Sequence, residues 1–128
     1  MTETYLLDTN IIIALFAQDS SILSKIATMD IVIPSITIGE LYFGAEKSTK
    51  KAENRARVDQ LTNVSTVIDC TDETAKFYGK IKAGLKTKGT PIPDNDVWIA
   101  AIAMEQDFVL VSRDSHFENV EDINWERW

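Results

Sequence analysis

The chain has 128 residues, 45% of them apolar and 26% charged, with a formal net charge of −7. That length suits one domain, no apolar run approaches the ~20 residues of a membrane span, and Met1-Thr2-Glu3-Thr4 lacks the cationic run of a secretory leader. The negative charge argues against a simple nucleic-acid binder, because phosphate contacts rest on Lys and Arg.

Tyr5-Leu6-Leu7 reads as a short buried strand ending at Asp8. Ile11 to Ala17 is apolar and helical, and Ser21 to Met29 forms a second helix with Ile22, Leu23, Ile26 and Ala27 on one face. Asp30 to Pro34 is a β-branched run stopped by proline, a second strand. Ser35 or Thr37 is placed to cap the next helix, which carries Glu40, Leu41, Phe43 and Gly44. Glu46 to Leu61 is a polar, solvent-facing helix. Ser65 to Asp69 is a third strand, and Thr71 or Asp72 caps a long helix reaching Lys86. Gly89 to Pro93 is a loop, after which Asp94 is expected to cap a helix to about Gln106. Phe108 to Ser112 is a fourth strand, and a short fifth lies near Ile123-Asn124-Trp125. Strands alternating with helices imply an α/β fold, a parallel sheet with helices on both faces. No linker or repeat interrupts 1–128, which is expected to be a single domain.

Charge is unevenly distributed. Ten of the thirteen Lys and Arg lie between Lys47 and Lys88, with five acids, so this segment is net +5 and the remainder net −12. A nuclease has use for such a division, one surface for phosphates and one pocket for cations; ordinary solvated helix faces produce it too. The lone Cys70 cannot form an intramolecular disulfide and is compatible with a reducing, cytoplasmic setting.

Ligand sites in open α/β sheets form beyond the carboxyl ends of the strands, at the point where strand order reverses. Asp8 directly follows strand one and Asp114 closely follows strand four, while Glu40 and Asp96 sit near helix starts. If strands one and four are neighbours, the four carboxylates converge. Two bare carboxylates at ~4 Å repel by about 4 kcal/mol at an effective dielectric near 20, and a hard divalent ion removes that cost. With one histidine and one cysteine in the chain, the donors are oxygens, which favours Mg²⁺, with Mn²⁺ as a substitute, over Zn²⁺. Duller roles compete: Asp8 and Asp94 as helix caps, Glu40 and Asp96 as first-turn acids, Asp114 as a turn residue.

Four motifs in order carry a resemblance across the whole chain: Leu6-Leu7-Asp8-Thr9-Asn10; Gly39-Glu40-Leu41-Tyr42-Phe43-Gly44-Ala45-Glu46-Lys47-Ser48; Gly89-Thr90-Pro91-Ile92-Pro93 with Asn95-Asp96-Val97-Trp98-Ile99-Ala100-Ala101; and Ser112-Arg113-Asp114-Ser115-His116-Phe117, with the final Trp128. The sequence resembles PIN-domain ribonucleases, particularly the VapC toxins of type II toxin–antitoxin modules. The resemblance implies a parallel sheet of order 3-2-1-4-5 and Mg²⁺-dependent cleavage of single-stranded or loop RNA. It implies catalytic and metal-binding roles for Asp8, Glu40, Asp96 and Asp114, with Thr9 and Ser112 in support. It further implies a homodimer and a small antitoxin partner that supplies the DNA binding. The Gly44-to-Ser48 segment and the ending are similar to members that cut initiator tRNA, in which asparagine is usual where Asp114 stands.

Arg113 is a candidate phosphate contact or the partner of a local acid. RNA guidance falls to Lys47, Lys50, Lys51, Arg55 and Arg57, or to Lys76, Lys80, Lys82, Lys86 and Lys88. His116 is expected to be structural rather than a general acid. Trp98 is expected in the core or a dimer interface rather than stacking a base, and Trp125 and Trp128 pack the last strand and tail. A receiver domain would want paired acids after strand one and a late lysine, and a haloacid-dehalogenase-like phosphatase would want an aspartate where Asn10 stands, so both are disfavoured. A PIN scaffold that binds without cutting is the non-enzymatic alternative.

Overall fold

The structure is a computed structural model in which residues 3–128 are described; Met1 and Thr2, part of the terminus read for a leader, lie outside them. Five parallel strands form one sheet: β1 (Thr4–Leu7), β2 (Asp30–Pro34), β3 (Thr66–Ile68), β4 (Val109–Val111) and β5 (Asn124–Glu126). Their spatial order is β3-β2-β1-β4-β5, as the resemblance implies. Among the described residues six α-helices lie between the first four strands: α1 (Thr9–Phe16), α2 (Ser20–Thr28), α3 (Ser35–Glu46), α4 (Lys51–Val64), α5 (Asp72–Lys88) and α6 (Asp94–Gln106).

The chain runs outward from β1 through β2 to β3, then returns to place β4 on the other side of β1. Leu7 pairs with Val111, so the residues that follow, Asp8 and Ser112, leave the sheet side by side. Apolar groups cover both faces. Leu6 and Leu110 join α5 and α6 in one core cluster; Leu7, Ile33, Val109 and Val111 join α1 and α3 in the other. Ala100, Ala101, Ile102 and Ala103 are all buried, so the middle of α6 is internal on all sides while its ends reach the surface. No single helix among the described residues is long and apolar enough to cross a membrane.

Local chemistry explains where elements begin and end. The Thr71 hydroxyl accepts from the Thr74 N–H and the Thr74 hydroxyl accepts from the Thr71 N–H, a reciprocal cap for α5. Gly89, at φ +71°, ends α5 in the left-handed region. The polar segment from Glu46 is not one continuous helix. α3 closes at Glu46, the Ser48 hydroxyl donates to the Ala45 carbonyl at 2.7 Å and accepts from the Asn54 side chain at 2.9 Å, and α4 starts at Lys51.

Two cap assignments differ from expectation. α3 has Pro34 at its cap with no side-chain bond, because Thr37 instead donates to the Leu7 carbonyl at 3.3 Å. α6 likewise has Pro93 at its cap. Asp94 lies inside the first turn, and its carboxylate accepts from Lys82 at 2.7 Å and Tyr78 at 3.0 Å. A short 3-10 turn over Ser115–Asn119, unforeseen in the sequence, follows β4.

Ile102 is fully buried in the middle of α6. Ile102→Ala should lower unfolding free energy by about 2–5 kcal/mol, the usual cost of such a truncation in a packed core, in urea denaturation of the metal-free protein.

Candidate active site

Asp8 is the innermost acid, 5% exposed. It takes the cap role weighed for it, at the start of α1, and it feels the charges of Glu40 and Asp114. Its Oδ1 accepts the Thr9 N–H at 2.8 Å and its Oδ2 accepts the Ser112 hydroxyl at 2.8 Å. Ser112 is fully buried, and its oxygen also accepts from the Asn10 amide at 3.2 Å and the Asp114 N–H at 3.0 Å. Trp125 on β5 donates its indole N–H to the Ser112 carbonyl at 3.1 Å. One hydroxyl therefore ties the end of β1 to the loop that carries Asp114.

Glu40 arrives one turn after Thr37 on α3. The Thr37 bond to Leu7 pins that helix start to the end of β1, and the Thr9 hydroxyl donates to Glu40 Oε1 at 2.6 Å. Asp96 comes from the first turn of α6 and Asp114 from the residue before the 3-10 turn. His116 stands between these two: its Nε2 is 2.7 Å from Asp96 Oδ2 and its Nδ1 is 2.8 Å from Asp114 Oδ1.

Electrostatics shows that the acids sense one another. Burial pushes the Asp96 carboxyl up to about 6; the Asp8 and Glu40 charges add to that push and His116 opposes it. Burial also raises Asp8, against the Ser112 and Thr9 hydrogen bonds, with further pushes from Glu40 and Asp114. Ligand atoms of Asp96, Asp114 and His116 all lie within 4.8 Å of one another, and the buried His116 Nε2 has no aligned hydrogen-bond partner. Carboxylate oxygens held in mutual repulsion, with an imidazole nitrogen among them, fit a divalent cation.

Arg113 does not point into this pocket. Its guanidinium lies 3.1 Å from Asp19 and donates to the Trp128 carbonyl at 2.8 Å, while its N–H donates to Asn10 Oδ1 at 3.1 Å. It is a brace that fixes the Asp114 loop to the α1–α2 corner. Asn10 shares that task and was not singled out from sequence. Its signal was its place in the Asp8-Thr9-Asn10 motif.

The basic residues divide. Arg57 lines a cavity of about 360 Å³ whose wall includes Thr9 and Glu40, together with Phe16, Leu41 and Asn54. Lys47 lies over the exposed Phe43 ring, 4.7 Å from its centroid. Lys50 and Lys51 are exposed at the start of α4, and Lys80 and Lys86 are exposed on α5. Arg55 is paired with Glu46, Lys76 with Glu73 and Lys82 with Asp94, while Lys88 bonds the Asn119 carbonyl. Trp98 stacks on Tyr78 with ring centroids 4.1 Å apart. Trp128 packs against Tyr5 at 5.6 Å. A second cavity, about 430 Å³, lies between α5, α6 and the Asn119–Asp122 segment and is lined by none of the four acids.

Residues 5–123 match the PIN domain family. Ribonuclease VapC2 of Haemophilus influenzae strain Rd is 37% identical over 128 residues, which cover 97% of each chain. The tRNA(fMet)-specific endonuclease VapC of Salmonella typhimurium is 36% identical over 102 residues, 79% of this chain and 77% of that relative. Among solved structures, VapBC2 of Rickettsia felis bound to a promoter DNA fragment is similar with a TM-score of 0.91 at 29% identity, over 98% of both chains. By the family match and these identities, the chain belongs to the PIN-domain family, in its VapC group.

Proposed function

We propose that this single PIN domain is a Mg²⁺-dependent endoribonuclease, the toxin of a toxin–antitoxin pair, cutting tRNA or another structured RNA in a single-stranded loop. The observation that carries the reading is the convergence of Asp8, Glu40, Asp96 and Asp114, from four separate segments, on one crevice where β1 meets β4. Support comes from relatives whose names denote ribonuclease and tRNA(fMet)-specific activity.

In this reading Asp8, Asp96 and Asp114 hold the cation and Glu40 orients the attacking water. When bound, such an ion neutralises charge on the phosphoryl oxygens and acidifies water. Thr9 and Ser112 fix Glu40 and Asp8 through the hydrogen bonds described, which holds their carboxylates in place before RNA arrives. Arg57, which lines the cavity bordered by Glu40, is the cation best placed to meet RNA phosphates there, with the exposed Lys47 as a further contact. The protein acts in the cytoplasm as a homodimer. Its antitoxin supplies the DNA contact, since this chain is too acidic to bind operator DNA well alone; the similar VapBC2 of Rickettsia felis is bound to a promoter DNA fragment. A guanidinium from that partner suits the same carboxylates and provides a physical route to inhibition.

Mapping RNA 5′ ends after expression of wild type and Asp8→Asn should give new ends only with wild type. In vitro, cleavage by Asp8→Asn should fall at least about a hundredfold, the upper end of what losing even an outer-shell metal partner costs. Near-wild-type turnover would remove Asp8 from the site, and ends outside tRNA would redirect the substrate.

Asp96 also gives the metal-free protein a pH dependence. Its carboxyl titrates at about 6 in the fold and at about 3.9 when unfolded, so the folded state holds the proton more tightly. The stability it contributes is therefore full below about pH 4 and is lost as pH rises through about 6. The groups facing it are Asp8 from the end of β1, Glu40 from α3, and Asp114 and His116 from the segment after β4. In chelator, the melting temperature of Asp96→Asn should gain on wild type between pH 4 and 7; a constant gap would contradict the crowding.

A further inference from the structure

The side chain of His116, the chain's single histidine, is 25% exposed. It is anchored by the adjoining Phe117, which is 1% exposed. Neutral imidazole carries one proton. If Nδ1 donates it to Asp114, 2.8 Å away, the Nε2 lone pair faces Asp96 Oδ2 at 2.7 Å. At that distance the two atoms must share a positive centre, a proton or a metal ion, and the buried Nε2 makes no aligned hydrogen bond of its own. A carboxylate that fixes one imidazole nitrogen while the other meets a metal is a recurrent arrangement in metal sites.

We propose that His116 is a nitrogen ligand of the active-site cation and gives this site a preference for Mn²⁺ over Mg²⁺. This rests on the metal-dependent reading above and changes its donor set, which from sequence consisted of oxygens alone. Mg²⁺ is hard and favours oxygen donors and retained water. First-row ions accept imidazole more readily, and Mn²⁺ is the one among them that also suits an oxygen-rich shell. Asp96, Asp114 and His116 supply such a mixed set from one corner of the crevice.

The test uses untagged full-length protein with Mn²⁺ alone. Pulsed EPR should detect ¹⁴N coupling to the bound ion, and its source is unambiguous because the chain contains no other imidazole. The coupling should vanish in His116→Gln, and the ratio of Mn²⁺ to Mg²⁺ affinity should fall about tenfold or more. Circular dichroism would establish that this variant folds. Mn²⁺ bound without ¹⁴N coupling, or coupling that survives in His116→Gln, would overturn the proposal and leave the cation site standing. Failure of the wild type to bind Mn²⁺ at millimolar concentration would overturn both this proposal and the nuclease reading.

Discussion

Carboxylates crowded in a half-buried crevice repel one another, and the rest of this fold is arranged to hold them there. The parallel pairing of β1 with β4 brings Asp8 beside Ser112, and burial raises the cost of charge on Asp8 and Asp96. Neutral donors do the restraining. Ser112 and the Thr9 backbone hold Asp8, the Thr9 hydroxyl holds Glu40, and Thr37 ties the start of α3 to Leu7. Among the described residues no arginine or lysine is paired with any of the four acids, and Arg113, next to Asp114 in the chain, is turned to Asp19 and Trp128. An array of acids held by hydrogen bonds, with His116 rather than a lysine or arginine beside it, is ready for a cation, whereas an internal lysine would have filled the pocket permanently.

The same logic orders the surface charge. Several cations of the basic middle are engaged by local acids, as in Arg55–Glu46 and Lys82–Asp94. Exposed pairs of this kind contribute little to stability, but they reduce the positive charge offered to phosphates. Arg57 is different, because it faces the cavity that Thr9 and Glu40 border. That cavity also has an apolar wall at Phe16 and Leu41.

Much of the fold was legible because β-branched runs end at sharp chemical signals: Pro34 after β2, and Asp8 after β1. The strand order was not readable from spacing and came from the resemblance. Asp94 looked like a helix cap because aspartate often is one, yet Pro93 already had the required backbone and Lys82, twelve residues earlier, took the carboxylate. The contacts of Arg113 were hidden for a similar reason, as Asp19 lies 94 residues away in sequence. The four acids could be named from motifs, and the structure brings them together. The place of His116 could not be, since it depends on a 3-10 turn that aims the ring back at Asp96. A lone histidine in sequence carries no sign of which acids it will meet.

If one crevice at the ends of β1 and β4 gathers these acids around a cation, anomalous diffraction from crystals grown with Mn²⁺ will locate the ion there. The account predicts a strong peak within bonding distance of Asp96 and at least one of Asp8 and Asp114. An ordered crevice with no peak, or ions found only at unrelated surface acids, would contradict it.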